Sequence, residues 1–375
     1  MGTQNFVLNT AQGEIGASAV CPRYAVVGPS RHGVVAHGLR LAAAEPRLAA
    51  SLRRVSLVGN GLHPRGVVGS ILPATAVMIQ VTDRLLGDTP EEAAAVVGEL
   101  RRRAPLALAL HDIPQPAEGG AWYRRRRDAY AAMTDQADVV VVASEHERDS
   151  LERCCRDADG ARTRTTRVVV VPLPVEPGRG APPPPDVHEL EVGVLGYLYP
   201  GKGIEDVLSA AACLRRSGQA VRVTCIGTVA EGHAEHAAAL AARAAEVGIP
   251  FRVTGFVPDH ELRSRLRAVA VPLAPHRHIS ASGSINTWLE AGRRPTSLPS
   301  PYARELADRL PGTLLVVDDL ETGILDALDH PERTWLGSGV VLGPSASEAG
   351  SRHADLLDEL AQDAYRAGAT ATAFA

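Results

Sequence analysis

Of the 39 Lys and Arg residues in the chain, one alone is a lysine, Lys202. It stands in GYLYPGKG, residues 196–203, between a strand pattern at Val192–Leu195 and a helical pattern starting near Ile204. Glycines at 196, 201 and 203 let backbone approach a ligand closely, and a helix start offers free N–H groups to an anion. The ammonium of Lys202 adds a full positive charge at the same place. The spacing is not that of a Walker A loop, because Gly203 stands where Ser or Thr must follow the lysine. Taken alone, the motif also reads as a turn with a solvated lysine. A second segment, PLAPHRHISASGSINTWLEAGRRP at 272–295, ends a strand near Leu273 and opens a helix with Ser280, Ala281, Ser282, Gly283 and Ser284. Small residues at a helix start let the amides reach phosphate oxygens, and His276, Arg277 and His278 just before them add a cluster of cations. The plain alternative is a serine N-cap without a ligand.

These residues need elements to hold them. Short Val/Ile/Leu runs alternate with Ala/Arg/Glu-rich amphipathic stretches, the pattern of βαβ units with buried parallel strands. The first half has strand candidates at Tyr24–Gly28, Val55–Gly59, Ala76–Val81, Leu106–Leu110, Val139–Ala143 and Val168–Val171. Proline and glycine then dominate PLPVEPGRGAPPPPD, residues 172–186, which reads as a linker. Alternation resumes with strands at Val192–Leu195, Val221–Ile226, Phe251–Phe256, Val269–Leu273 and Leu314–Val317. Helices are expected from Ile204, over 232–247, from Asp259, over 284–292 and from Ala303, with a turn at Pro295 and Pro299. The fold class is therefore α/β, two doubly wound halves facing each other across a cleft. The expected divisions are 1–172, a linker at 173–190, 191–345, and a final helix within 346–375, marked by Leu356, Leu357, Leu360 and Ala361, able to pack back on the first half.

In order and separation, the two loop segments resemble the donor domain of GT-B glycosyltransferases, specifically the retaining family 4. Gly196, Lys202 and Gly203 match its first motif. Gly255, Phe256, Val257 and Leu262 match the second, and Pro275, Gly283, Glu290, Ala291, Gly292 and Pro295 the third. The PYARE segment ending at Glu305 is similar to its last donor-loop landmark. Two departures stand out: Tyr197 replaces the usual arginine before the lysine, and Ser282 replaces the first glutamate of the E-x7-E pair, as in a subset with an S-G-S loop. The resemblance implies that Lys202 contacts a donor diphosphate, with Gly196, Ser282, Gly283 and Ser284 around it. It implies that Glu290 bonds the ribose hydroxyls and that Phe256 and Val257 border the base. Arg277 would compensate for the missing arginine. In the first half, GPSRHGVVAHG at 28–38 is similar to the family's glycine-rich loop, with Gly33 allowing close approach and Arg31 or His32 touching the acceptor. His111, directly after a buried strand, would bind the transferred sugar and is the catalytic candidate. VVVVASEHERDSL at 139–151 is similar to the segment that closes this half, with Ser144 and Glu145 capping its helix.

The implied activity is transfer of a sugar from a nucleoside-diphosphate donor to a small-molecule or glycan acceptor, retaining anomeric configuration. It uses no metal and no cofactor beyond the sugar nucleotide as co-substrate. A sugar-nucleotide epimerase of the same fold and a catalytically silent binding subunit are the alternatives. A dehydrogenase is disfavoured by the missing G-x-G-x-x-G, since GNGLHP at 59–64 has proline at the third glycine. Asp157 and Asp159 lie in a polar stretch rather than at a strand end, against a metal-dependent GT-A site. His233 and His236 lack a third zinc ligand nearby. Cysteines at 21, 154, 155, 213 and 225 form no C-x-x-C pair and read as structural thiols. A net charge of −4 argues against nucleic acid as a partner. With no apolar run of membrane-spanning length and no basic-then-apolar start, the expectation is a cytoplasmic protein without an integral membrane segment. The runs Arg101–Arg103 and Arg124–Arg127 read as solvated helix faces, or in the second case as a site for an anionic acceptor or membrane surface.

Overall fold

The computed structural model describes residues 21–56, 64–158, 166–176, 178, 190–277 and 279–373. The first sheet is built from β1 (Arg23–Val27), β2 (Leu52–Val55), β3 (Val77–Val81), β4 (Leu106–Leu110), β5 (Val139–Val142) and β6 (Arg167–Val170). All pairings are parallel, in the order β2-β1-β3-β4-β5-β6. The second sheet comprises β7 (Glu191–Leu195), β8 (Arg222–Ile226), β9 (Phe251–Val253), β10 (Val271–Ala274), β11 (Thr296–Ser297) and β12 (Leu315–Val316). It is also parallel, in the order β12-β11-β10-β7-β8-β9.

Both sheets carry helices on both faces, which explains strands without polar alternation. In β1, Ala25 and Val27 join one buried cluster with Val77, Leu106 and Val140, while Tyr24 and Val26 join another with Met78, Ala107 and Val141. Successive side chains of a strand point to opposite faces, so one strand feeds two cores. In β7, Val192 and Val194 enter a core with Ile204, Val207 and Leu208, and Gly193 on the other face leaves room for Val269, which a Cβ there would approach to 2.8 Å.

The C-terminal helix Ala346–Ala373 packs on the first sheet: Ala349, Ala354, Leu356, Leu357 and Leu360 are buried with Tyr24, Val26, Leu41 and Met78. Arg47 ties it down through Asp355 (2.8 Å) and Asp358 (3.1 Å). Within the linker segment, residues 177 and 179–189 lie outside the described residues, while Val175 is buried against Ala274, Ile285 and Leu289. No helix among the described residues is long and apolar enough to cross a membrane.

Several boundaries differ from the sequence reading. The strand expected at Val55–Gly59 ends at Val55 and begins at Leu52; residues 57–63 lie outside the described residues. It is an edge strand whose Arg53 faces solvent, and such edges lack the apolar run that marks a central strand. The strand over Phe251–Phe256 stops at Val253, where Thr254 Oγ1 accepts from Gly227 N at 3.0 Å and Gly255 turns to φ +74°. The turn at Pro295 and Pro299 holds the two-residue strand β11, too short to leave a pattern.

Candidate functional site

In the second sheet the winding reverses between β7 and β10, with β8 and β9 to one side and β11 and β12 to the other. The crevice beyond the carboxyl ends at such a reversal is where open α/β sheets bind ligands. The two loops singled out by sequence, after β7 and after β10, flank this point and are stitched together. Arg277 N donates to Gly201 O at 3.2 Å. Gly203, at φ +84°, comes so close to Pro275 that a Cβ would stand 1.9 Å from the Pro275 carbonyl oxygen.

Lys202 is 4% exposed, and its Nζ lies 2.8 Å from His276 Nε2. The ammonium donates to the Nε2 lone pair, which leaves the imidazole proton on Nδ1. Burial and the adjacent Lys202 charge hold His276 well below the usual histidine range, so it is neutral. Burial also pushes the Lys202 ammonium down to about 8. Among the described residues no carboxylate pairs with it, and a buried cation without a counter-charge is costly unless an anion completes the site. A Cβ at Gly196 would stand 3.0 Å from Nζ, so glycine keeps that space open.

Ser282 caps the helix Gly283–Glu290, its Oγ accepting from Ile285 N at 3.2 Å. The amides of Gly283 and Ser284, in the first turn, have no intrahelical acceptor. Ser284 Oγ is 3.0 Å from Ser282 Oγ and 3.5 Å from His276 Nε2. Cation and helix N-terminus thus converge in a cleft of about 820 Å³ between the two sheets, walled by Gly196, Lys202, Arg277, Ser282, Gly283 and Ser284 on this side. Arg277 forms a bidentate pair with Asp206 of the neighbouring helix, at 2.7 and 2.6 Å.

The opposite wall includes Arg84, Asp112, Gln115, Glu118, Trp122 and Arg126. Asp112 is the one non-glycine residue with positive φ (57°) among the described residues, a backbone state that persists only when its surroundings hold it. Arg126, buried, does so, donating to the Asp112 carbonyl at 2.7 Å and to its Oδ2 at 3.0 Å while also bonding Asp83 and Glu118. Its neighbours in the arginine run are likewise engaged, Arg125 with Glu91 and Arg127 with Asp128. Arg101 pairs with Asp138 at 2.7 Å, and Arg102 and Arg103 pair with Glu99.

His111 donates from Nε2 to Gln80 Oε1 at 2.7 Å. The direction follows from the next links: Gln80 Nε2 donates to Tyr24 Oη at 3.0 Å, and Tyr24 Oη donates to the Gly38 carbonyl at 3.2 Å. His111 therefore keeps its lone pair on Nδ1. Its ring meets His37 edge-on at 5.4 Å, and burial pushes its pKa down to about 3, so it stays neutral.

His32 caps the helix Gly33–Ala44, Nδ1 accepting from Val34 N at 3.3 Å. Nothing lies within 4 Å of a Cβ at Gly33; the positive φ in this loop, +119°, falls at Gly28. Arg31 stacks over Phe256 at 5.0 Å, and Tyr197 Oη donates to the Arg31 carbonyl at 3.4 Å, so residues from the two halves meet. Val257 packs against the cluster containing Trp288 and Leu266. Glu290 is ion-paired with Arg40 of the first half at 2.7 Å. Ser144 caps its helix as expected from its type, accepting from Glu147 N at 2.9 Å, whereas the Glu145 side chain pairs with Arg148. Among the described residues no group of three or more His, Cys, Asp or Glu is placed to hold a metal ion.

The sequence did not single out Gln80, Asp112 or Glu147 as site-shaping residues. Asp112 alone carried a signal, its place directly after His111 at a strand end.

Two facing doubly wound sheets with a cleft between their carboxyl ends define the GT-B fold. Comparison with solved structures agrees. The chain is similar to Anabaena HepE in complex with UDP-glucose, at a TM-score of 0.63 and 15% identity over 93% of this chain and 99% of that one. It is similar to sucrose-phosphate synthase from Thermosynechococcus elongatus, at 0.61 and 14% over 95% and 100%. Against the pneumococcal O-GlcNAc transferase GtfA in complex with UDP and GlcNAc the values are 0.51 and 13%, over 82% and 58%. No protein-family profile matches the sequence, and no curated protein matches it.

Proposed function

We propose that the protein is a glycosyltransferase that moves a sugar from a nucleoside-diphosphate donor to a hydroxyl acceptor with retention, without a metal. The observation that carries this reading is Lys202, buried and without a carboxylate partner among the described residues, beside the open N-terminus of Gly283–Glu290 at the switch point of the second sheet. The fold shared with HepE, whose complexes hold UDP and UDP-glucose, supports the same class.

In this reading Lys202 and the Gly283 and Ser284 amides hold the diphosphate, with Gly196 leaving it room and Ser282 fixing the helix start. Phe256 and Val257 border the base. Glu290 takes the ribose hydroxyls once Arg40 is displaced, and Arg277, neutralised by Asp206, borders the diphosphate site without adding a free charge. The bond from the anomeric carbon to the β-phosphate oxygen breaks, and its electron pair goes to that oxygen. The acceptor oxygen bonds to the anomeric carbon on the same face, and its proton passes to the departing phosphate. Lys202 and the helix N-terminus stabilise the growing charge, so positive potential already in place lowers the barrier. His111 offers its Nδ1 lone pair to a hydroxyl of the transferred sugar; Arg31 and His32 stand on the acceptor side.

The test is incubation of purified protein with labelled sugar nucleotides, with and without candidate acceptors. The expected result is slow hydrolysis alone and faster label transfer with an acceptor, both lost in Lys202→Met. Accumulation of an epimerised sugar nucleotide would contradict the reading in favour of an epimerase, and no turnover of any donor would favour a silent binding subunit.

A further inference from the structure

The donor loop 275–284 is gripped from across the cleft by groups outside the chemistry assigned above. Ser280 Oγ donates to Glu147 Oε1 at 2.9 Å, and Ser144 Oγ donates to the Ser280 carbonyl at 2.9 Å. Ser144 and Glu147 belong to the first half, at the start of the helix Glu145–Asp157. Glu147 is itself fixed: its other oxygen accepts from Ala143 N at 2.7 Å, and its amide donates to Ser144 Oγ. The second half reciprocates. Glu305 accepts from the amides of Glu145 (2.8 Å) and His146 (2.9 Å), one with each carboxylate oxygen. A carboxylate at a helix N-terminus bonds free amides and matches the positive end of the helix dipole, and here the helix with its Ser144 cap and the carboxylate come from opposite halves. Glu147 and Ser280 are 1% and 8% exposed, so these bonds are shielded from water.

We propose that Glu147 and Glu305 are positioning residues, a two-sided clasp that holds the donor loop and the facing halves in the geometry that receives the diphosphate. The Ser280 carbonyl and hydroxyl are both tied to the first half, two residues before the Ser282 cap that opens the phosphate-facing helix. Any separation of the halves therefore pulls on the segment that presents the Gly283 and Ser284 amides. As a role in donor binding, the clasp rests on the glycosyltransferase reading; as a mechanical coupling, it does not.

Hydrogen–deuterium exchange on the full ligand-free chain tests it. Glu305→Ala removes the carboxylate that bonds the Glu145 and His146 amides and leaves the Ser144 cap in place, and Ser280→Ala removes the hydroxyl to Glu147. The clasp requires at least tenfold faster exchange in Glu305→Ala at the amides of 145–147 and also, more than 130 residues away in sequence, at the bonded amides of Ile285 and Asn286. Exchange in β4 and β7 should stay unchanged. Faster exchange at 145–147 alone, with Ile285 and Asn286 unaltered in both variants, would overturn the proposal. UDP titration then separates the two ideas: the clasp expects about tenfold weaker UDP binding in Glu305→Ala. If the wild type binds no nucleoside diphosphate, the donor reading falls, and the exchange result still decides the coupling.

Discussion

Replacing Lys202 by methionine keeps the aliphatic stem and removes the ammonium, and the two consequences have opposite signs. Among the described residues no carboxylate meets this buried cation, so Lys202→Met should raise ligand-free stability by about 1 kcal/mol or more, the lost hydrogen bond to His276 offsetting part of the gain. Donor binding should collapse in the same variant. Paired thermal melts with and without nucleotide check both signs, and a variant that is less stable yet still binds would contradict this account of the site. The pH dependence follows from burial lowering Lys202 from 10.5 to about 8. Between those values the unfolded chain binds the extra proton, so ligand-free stability gains from this group as pH rises from about 8 towards 10.5. Nucleotide affinity runs the other way. A bound diphosphate favours the charged ammonium, so affinity should be flat below about 8 and fall by up to tenfold per pH unit above it. Titration calorimetry across that range should show the slope in the wild type and lose it in Lys202→Met.

At the scale of elements, the loops after β7 and β10 act as one unit because Gly203 sits under the Pro275 carbonyl. Gly203→Ala places a Cβ 1.9 Å from that oxygen, at a φ of +84°. The backbone state alone costs about 1–2 kcal/mol for an alanine, and the loops must also separate, so the variant should melt lower and bind nucleotide more weakly. A control at Gly201, also at positive φ but with nothing within 4 Å of a Cβ, should bear only the backbone cost. These loops were legible in the sequence because their signals are local: glycines, a lone lysine, and serines opening a helix beside strands of clear apolar character. The partners of those residues were not legible. Arg277 reads as a free cation until Asp206 is folded against it, and His276 reads as a cation although burial beside Lys202 keeps it neutral. The run Arg124–Arg127 reads as a solvated face or an anion site, yet Arg126 and Arg127 are buried, and Arg125, Arg126 and Arg127 meet carboxylates, those of Glu91 and Asp83 coming from earlier elements. Such pairings depend on how elements pack, which no periodicity encodes. The edge strand β2 and the short strand β11 escaped for the complementary reason, having too few apolar residues to make a pattern.

Across the whole molecule, two doubly wound sheets face each other and the polar contacts between them cluster around the cleft. Arg40 reaches Glu290, Tyr197 reaches Arg31, and Ser144, Glu147 and Glu305 bracket the donor loop. The C-terminal helix returns from the second half to the first sheet. Closure of such halves excludes water from a reacting donor, and the pairs across the cleft define what must yield when the donor enters, Arg40–Glu290 first among them. The claim on which all of this depends is that the site around Lys202 is built for a diphosphate. Isothermal titration of the wild type and Lys202→Met with a panel of nucleoside diphosphates, near neutral pH, tests it most directly. At least one nucleotide should bind the wild type and lose roughly 100-fold or more in affinity, about 2.7 kcal/mol, in Lys202→Met. No binding by the wild type, or equal affinity in both proteins, would contradict it.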